Sequence, residues 1–124
     1  MTHTIVIADD DDSVRRLVEH KLSAAGYEVE SFVNGSRTWD HLQTAPVPDL
    51  CVLDVMMPGL TGLQVVERMR DDEALADVPV VVLSSRGREA DVLDGLESGA
   101  TDYVTKPFSP RELLSRVRLR LGEE

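Results

Sequence analysis

The sequence has little that would tie a chain together covalently or hold it in a membrane. Its single cysteine, Cys51, excludes an internal disulfide bond, which fits a reducing cytoplasm. Because Cys51 stands in an apolar run, we interpret it as a small buried hydrophobic residue. No apolar run is long enough to cross a bilayer. The N-terminus also lacks the basic and then apolar segments of a signal peptide, so we expect a cytoplasmic protein that does not contact membranes.

Positive charge is scarce as well. The chain has 13 Lys and Arg residues against 23 Asp and Glu residues, which gives a net charge of −10. A nucleic acid is a polyanion and would be repelled, so this balance argues against direct nucleic-acid binding by the chain. The surplus permits cation binding, although a solvated acidic surface would give the same number.

No repeat, linker or low-complexity segment divides the 124 residues. We therefore expect one domain over residues 1–124, with no room for a second one. A chain of this length buries roughly two thirds of the surface that it exposes when unfolded. It should fold without a disulfide bond or a structural metal.

Short apolar runs alternate with segments of helical spacing along the whole chain. The predicted strands are residues 5–8, 27–32, 50–53, 78–83 and 102–105. The predicted helices are residues 14–25, residues 38–42, a third helix after residue 61, residues 89–96, and a fifth helix from residue 109. This alternation predicts an α/β fold, with a parallel sheet covered by helices on both faces.

Local signals mark several helix ends. Residues 109–112, Ser-Pro-Arg-Glu, form a capping-box sequence with proline at the first helical position. Thr61 is the expected N-cap of the third helix, and Gly26 stands where a helix C-cap belongs. Asp11 and Asp12 suit helix caps and a solvated loop equally well.

Two predicted strands end in carboxylates: Asp9 and Asp10 follow the first strand, and Asp54 follows the third. If these strands are neighbours in a parallel sheet, the acids converge in one cleft at its carboxyl edge. Two carboxylates about 5 Å apart repel by roughly 3 kcal/mol at an effective dielectric constant of 20. Such a cluster needs a cation or must hold a proton. All-oxygen ligands without a nearby His or Cys point to Mg²⁺.

Two further strand ends complete a candidate phosphate site. Ser84 follows the fourth strand with a hydroxyl group, and Lys106 follows the fifth with an ammonium group. Each signal is weak alone, because a strand-end serine usually caps a helix and a lysine is usually solvated. Together with the acids, they predict that Asp54 is a nucleophile, that Lys106 holds a phosphoryl oxygen as a point charge, and that Ser84 donates a hydrogen bond.

The ordered set of motifs resembles the receiver domain of bacterial two-component response regulators. It comprises Asp9-Asp10, Asp54, Met56-Met57-Pro58-Gly59, Ser84 and Lys106-Pro107-Phe108. The resemblance covers essentially the whole chain and is closest to the winged-helix transcription-regulator class. It implies a flavodoxin-like fold with a single doubly wound sheet of strand order 2-1-3-4-5 and five helices.

The resemblance implies a phosphoacceptor signalling domain rather than an enzyme, although one that assists its own phosphorylation and dephosphorylation. Asp54 would receive the phosphoryl group from a histidine kinase, a phosphotransfer protein or a small phosphodonor. The family further implies that Mg²⁺ is held by Asp10, Asp54 and the backbone carbonyl of Met56, with Asp9 acting through water.

The resemblance also implies a switch and a cis peptide bond. Tyr103 would swing inward as Ser84 moves toward the phosphoryl group, although an ordinary strand-edge aromatic residue would look the same in the sequence. The Lys106–Pro107 bond would be cis, which is plausible because an X–Pro bond in cis costs only about 0.5–1 kcal/mol.

Four charged residues predict a phosphorylation-dependent homodimer through the fourth helix, fifth strand and fifth helix. In the winged-helix class the matching positions form cross-dimer pairs, here Arg88 with Glu112 and Asp102 with Arg116. The competing interpretation is that these residues are solvated or paired within one chain, where each pair would contribute about 0–1 kcal/mol.

Two other functions compete with the phosphoacceptor interpretation. An aspartate-dependent phosphatase of the haloacid-dehalogenase type needs a second acid two residues after its nucleophile, to protonate the leaving group. That position is Met56 in this sequence. The second alternative is a receiver-like binding module whose acid cluster is inactive.

Overall fold

The computed structural model describes residues 2–85 and 99–123. Its strands are β1 (Thr4–Ala8), β2 (Glu28–Phe32), β3 (Leu50–Asp54), β4 (Val80–Ser84) and β5 (Asp102–Thr105). Its helices are α1 (Asp12–Ala24), α2 (Gly35–Thr44), α3 (Gly62–Asp71) and α4 (Pro110–Arg120), the last of which is the fifth predicted helix. The fourth predicted helix, residues 89–96, lies outside the described residues, as does Arg88.

All five strands form one parallel sheet in the order β2-β1-β3-β4-β5. The doubly wound α/β fold and the strand order are therefore confirmed. The register places Ala8 beside Leu53 and Asp54 beside Leu83, so the ends of the central strands lie side by side. This alignment gathers the residues that follow the strands at one edge of the sheet.

A hydrophobic core lies on each face of the sheet, because successive side chains along a strand point to opposite faces. One core packs alternate strand residues against α2 and α3 and includes Val6, Cys51, Leu53, Val80, Val82, Leu42, Val65, Val66 and Met69. The other packs the intervening strand residues against α1 and α4 and includes Ile5, Ile7, Val52, Val81, Leu83, Val18, Leu22, Leu113 and Val117. Every residue of β3 and β4 is buried, which is why both strands are continuous apolar runs up to their last residues, Asp54 and Ser84.

Cys51 is fully buried in the central strand β3. Burial raises the pKa of its thiol to about 12, so the group stays protonated and unreactive. The interpretation of Cys51 as a buried hydrophobic residue is confirmed.

The predicted N-caps at Thr61 and Ser109 are confirmed, whereas the C-cap of α1 is Ala25 and Gly26 follows it with a φ of +98°. Thr61 and Gln64 form a reciprocal capping box at the start of α3. Ser109 caps α4 by accepting a hydrogen bond from the backbone N–H of Glu112. The open choice at the start of α1 falls to Asp11, whose carboxylate accepts from two backbone N–H groups of the first turn.

Helix α2 begins three residues earlier than predicted. Asn34 is the N-cap, and its side-chain oxygen accepts a hydrogen bond from the backbone N–H of Arg37. The helix therefore starts at Gly35 and runs to Thr44, rather than over residues 38–42. The apolar pattern alone misses this first turn, because the residues there are Gly, Ser and Arg.

No helix among the described residues is long and apolar enough to cross a membrane.

We expect Leu22→Ala to lower the free energy of unfolding by about 2–5 kcal/mol, because it removes a fully buried side chain from the core under α1. Leu17 lies on the same helix but is 46% exposed, so Leu17→Ala should change stability by only about 0.5 kcal/mol. Urea unfolding followed by circular dichroism measures both values. Equal losses in the two variants would contradict the assignment of the buried face.

Candidate functional site

The predicted site residues meet at the carboxyl edge of the sheet. Asp54 ends β3 and Ser84 ends β4, while Asp9 follows β1 and Lys106 follows β5. Because β1 and β3 are adjacent and parallel, their carboxylates converge, as the sequence analysis required. β4, which carries Ser84, lies between β3, which carries Asp54, and β5, which leads to Lys106.

The acid cluster is compact and partly buried. Carboxylate oxygens of Asp9, Asp10 and Asp54 lie within 4.8 Å of one another. Asp9 and Asp54 are 3% and 5% exposed, whereas Asp10 is exposed. The three carboxylates offer only oxygen atoms, which is the donor set that Mg²⁺ prefers.

The ammonium group of Lys106 lies between the two buried carboxylates. Its Nζ is 2.9 Å from Oδ2 of Asp9 and 3.3 Å from Oδ2 of Asp54. Burial by itself lowers the pKa of Lys106, but the hydrogen bond to Asp9 and the charges of both carboxylates outweigh it and raise the pKa. Lys106 is therefore a permanent positive charge at neutral pH, facing two acids.

Asp54 has a strongly perturbed carboxyl group. Burial raises its pKa to about 7, and the neighbouring charge of Asp9 adds to the shift, while Lys106 opposes it. One ammonium group does not compensate for the burial of two carboxylates. Asp54 is therefore protonated in part of the molecules near neutral pH, and a nearby cation would favour its ionised form.

The path of the chain after β5 brings Lys106 into the site. The Lys106–Pro107 bond is cis, which confirms the prediction. The backbone N–H of Lys106 donates a 2.6 Å hydrogen bond to the carbonyl of Ser84, and this contact extends the pairing of Ser84 with Thr105. Ser84 is 4% exposed, so its side chain lies within the packed edge of the sheet.

The two methionines after Asp54 have opposite environments. Met56 is 58% exposed, whereas Met57 is buried in the core between the sheet and α3. The role of the Met56 backbone carbonyl as a metal ligand stays a prediction.

Arg15 supports the acid cluster, a role that the sequence analysis missed. Its guanidinium donates a 3.0 Å hydrogen bond to the backbone carbonyl of Asp9 and a 2.6 Å hydrogen bond to the carboxylate of Asp12. The Oδ1 atom of Asp9 also accepts from the backbone N–H of Asp11 at 2.9 Å. In the sequence, Arg15 looks like an ordinary solvated residue of an amphipathic helix. Only the folded β1–α1 turn reveals its hydrogen bond to Asp9.

Tyr103 is half-buried on β5, next to the core formed with α2 and α3. The register pairs it with Val82 of β4, two residues before Ser84. The predicted inward swing of Tyr103 stays a prediction.

Three of the four residues predicted for a dimer interface, Asp102, Glu112 and Arg116, are paired within the chain, and the fourth, Arg88, lies outside the described residues. Asp102 is 7% exposed, and its carboxylate accepts from Arg116 at 2.8 Å and from Arg120 at 3.3 Å. Arg116 also lies 3.8 Å from Glu112 on the same helix. The chain thus adopts the intramolecular alternative for Asp102 and Arg116, and cross-dimer pairing stays a prediction.

The chain matches known proteins over nearly its whole length. A family model described as "Response regulator receiver domain" matches residues 5–118. The phosphate regulon transcriptional regulatory protein PhoB of Pseudomonas aeruginosa is 40% identical over 115 residues, which are 93% of this chain and 50% of that protein. The DNA-binding dual master transcriptional regulator RpaA of Synechocystis is 44% identical over 117 residues, which are 94% of this chain and 48% of that protein. The chain spans about half the length of these curated relatives.

Solved structures show the same fold. The receiver domain of a Francisella response regulator has a TM-score of 0.91 at 30% identity, with 98% of each chain covered. The BeF3-activated receiver domain of DrrB, a protein of Thermotoga maritima, has a TM-score of 0.87 at 34% identity, with 99% of this chain and 100% of that chain covered.

We expect Asp54→Asn to stabilise the metal-free protein more at about pH 8 than at about pH 5. The folded-state pKa of Asp54 is raised to about 7, so the folded protein binds a proton that the unfolded chain has already released. Stability therefore falls as pH rises from about 4 to about 7, and asparagine removes this loss. Urea unfolding in the presence of a chelator measures the effect. If Asp54→Asn raised the free energy of unfolding equally at both pH values, the raised pKa of Asp54 would be refuted.

Proposed function

This chain belongs to the response regulator receiver domain family, and we propose that Asp54 is the residue at which it accepts a phosphoryl group. Receiver domains are phosphoacceptor switches of two-component signalling, so the chain is a regulatory domain. The observation that supports Asp54 is its environment. It is a buried carboxylate at a strand end, 3.3 Å from an ammonium group and within 4.8 Å of two more carboxylates.

In the proposed reaction, an ionised Asp54 oxygen attacks the phosphorus atom of a phosphohistidine on a histidine kinase or phosphotransfer protein. The new P–O bond forms as the P–N bond breaks, and the electron pair returns to the imidazole nitrogen, which takes a proton from water. A small phosphodonor would react in the same way and lose its own leaving group. Because the pKa of Asp54 is about 7, a substantial fraction of the molecules carries the reactive carboxylate at neutral pH.

Lys106 supplies the positive charge that the transfer requires. Its ammonium group is already within 3.3 Å of Asp54, so little movement is needed for it to contact an oxygen of a phosphoryl group on that residue. Ser84 ends the neighbouring strand, and we propose that its hydroxyl donates a hydrogen bond to another phosphoryl oxygen. Both residues thus act on charge that Asp54 gains when it is phosphorylated.

The site also suits a divalent cation. The three clustered carboxylates face one nearby ammonium group, and every donor in the cluster is an oxygen atom. We propose that Asp10, Asp54 and the backbone carbonyl of Met56 ligate Mg²⁺, with Asp9 acting through water. The bound ion would neutralise charge on the phosphoryl oxygens.

A phosphatase of the haloacid-dehalogenase type has no support in the site. The position that would hold its general acid is Met56, a solvent-exposed residue without a titratable group. The family match likewise favours a regulatory phosphoacceptor over an enzyme with turnover.

We propose that the phosphorylated domain controls an output function that is carried by another domain or another protein. The curated relatives are transcriptional regulators that are about twice as long as the matched region. With a net charge of −10, this chain is itself poorly suited to contact nucleic acid. A movement of Ser84 on phosphorylation would be passed through Tyr103 on β5 to the surface of the domain. The domain would work in the cytoplasm, where its kinase phosphorylates it.

Phosphorylation from a small phosphodonor should disappear in Asp54→Asn, because the amide oxygen is a poor nucleophile. Asp12→Asn is the matched control and should be labelled as wild type, since Asp12 is exposed and pairs only with Arg15 among the described contacts. Intact-protein mass spectrometry measures the incorporation. Label that persists in Asp54→Asn on another aspartate would disprove the assignment.

The activated protein should form a homodimer, with Asp102 and Arg116 exchanging their present internal pair for a cross-dimer pair. A twofold axis repeats each contact, so a weak pair counts twice. Sedimentation with and without beryllofluoride, a phosphoryl mimic, measures the change. Arg116→Glu should prevent dimerisation, whereas Arg16→Glu, the same charge change on the exposed surface of α1, should not. A protein that stays monomeric when activated would rule the dimer out.

A further inference from the structure

The loop between β3 and α3, residues 55–61, is closed into a compact shape beside the acid cluster. The backbone N–H of Gly62 donates a 3.0 Å hydrogen bond to the carbonyl of Val55, which joins the two ends of the loop. Met57 and Leu60 pack into the core that includes α2 and α3. Met56 lies in this loop, so the shape of the loop sets where the proposed carbonyl ligand stands.

The first turn of α2 touches this loop through Gly35. A Cβ atom on Gly35 would lie 1.8 Å from the carbonyl oxygen of Leu60 and 2.6 Å from its carbonyl carbon. Both atoms belong to the backbone and cannot rotate away as a side chain could. The loop can occupy its present position only because residue 35 has no side chain.

Ser36 of α2 and Gly59 of the loop form a second contact between the same two segments. Gly59 has a φ of +76°, and a Cβ atom there would lie 2.5 Å from Oγ of Ser36. Two successive residues of α2 therefore contact two successive residues of the loop.

The other end of the loop is fitted as closely to Asp54 itself. A Cβ atom on Gly62 would lie 2.2 Å from the carbonyl oxygen of Asp54. The loop is thus held between the phosphoacceptor strand and the start of α2, and a displacement at α2 must be taken up by the loop.

We propose that Gly35 is a positioning residue for the metal site: the first turn of α2 braces the loop that presents the Met56 carbonyl. The inference rests on the proposed function, because it assumes that this carbonyl ligates Mg²⁺. Mg²⁺ demands near-ideal octahedral geometry, so a small displacement of one ligand weakens binding. If Gly35 affected only helix formation, Gly35→Ala would raise the melting temperature and leave the Mg²⁺ affinity unchanged, since alanine favours helices more than glycine does.

The test is Mg²⁺ titration calorimetry on the wild-type chain, Gly35→Ala and Arg37→Ala, with thermal melting of each metal-free protein. Gly35→Ala should weaken Mg²⁺ affinity by about tenfold, the effect typical of a change just outside the ligand shell. Arg37 is an exposed residue in the same helical turn, so Arg37→Ala should bind Mg²⁺ as wild type. Wild-type affinity in a folded Gly35→Ala would overturn the inference.

A second pair of variants covers the case in which Gly35→Ala does not fold. Gly59→Ala adds a Cβ atom against Ser36, and Ser36→Gly removes the group that it meets. The backbone strain at residue 59 is the same with either residue at position 36, so the comparison isolates the contact. Ser36→Gly should restore much of the Mg²⁺ affinity that Gly59→Ala loses, and a failure to restore it would overturn the brace.

Asp10→Asn separates this inference from the function on which it rests. If wild type binds Mg²⁺ no better than Asp10→Asn, the metal site fails and the brace fails with it. If wild type binds Mg²⁺ well, Asp10→Asn binds it poorly and Gly35→Ala matches wild type, the metal site stands and only the brace is refuted.

Discussion

The chemistry of this domain depends on one electrostatic constraint: two buried carboxylates, Asp9 and Asp54, share one ammonium group. Nζ of Lys106 is 2.9 Å from one acid and 3.3 Å from the other. The single positive charge leaves the pKa of Asp54 at about 7, because burial and the charge of Asp9 together exceed its attraction. In the proposed function, the unbalanced negative charge would attract a cation, and an incoming phosphoryl group would then meet preorganised positive charges. The electrostatic repulsion between the two buried carboxylates and the proposed phosphoacceptor function therefore have the same origin.

The scaffold holds these like charges together because they sit on its most rigid part. β3 is buried along its whole length between β1 and β4, with a hydrophobic core on each face. The start of α1 also holds Asp9 in place: Arg15 donates a hydrogen bond to its backbone carbonyl, and the backbone N–H of Asp11 donates one to its carboxylate. The free energy of core burial thus maintains a charge arrangement that would not persist in a flexible loop.

Sequence patterns predicted the features that arise within a few neighbouring residues. The strands showed as apolar runs, and the caps at Thr61 and Ser109 showed as side chains placed to accept local backbone N–H groups. The strand order came from a family resemblance, because the apolar pattern itself does not say which strands are neighbours. The start of α2 was missed because its first turn carries no apolar signal and depends on the cap at Asn34. The contact of Gly35 with Leu60 was missed for a different reason, since a glycine in a sequence does not reveal which backbone approaches it.

By itself, the sequence determined which chemical groups stand at the ends of the strands and where most helices begin. Only the tertiary structure decided how those groups interact. Lys106 pairs with Asp9 across 97 positions of the chain, and Arg116 pairs with Asp102 inside one molecule rather than being left for a partner. The shift in the pKa of Asp54 likewise depends on burial and on charges brought from other strands. The physical reason is range: caps and apolar periodicity act between near neighbours in the chain, whereas Coulomb forces, burial and steric fit depend on distances in space, which exist only once the sheet has assembled.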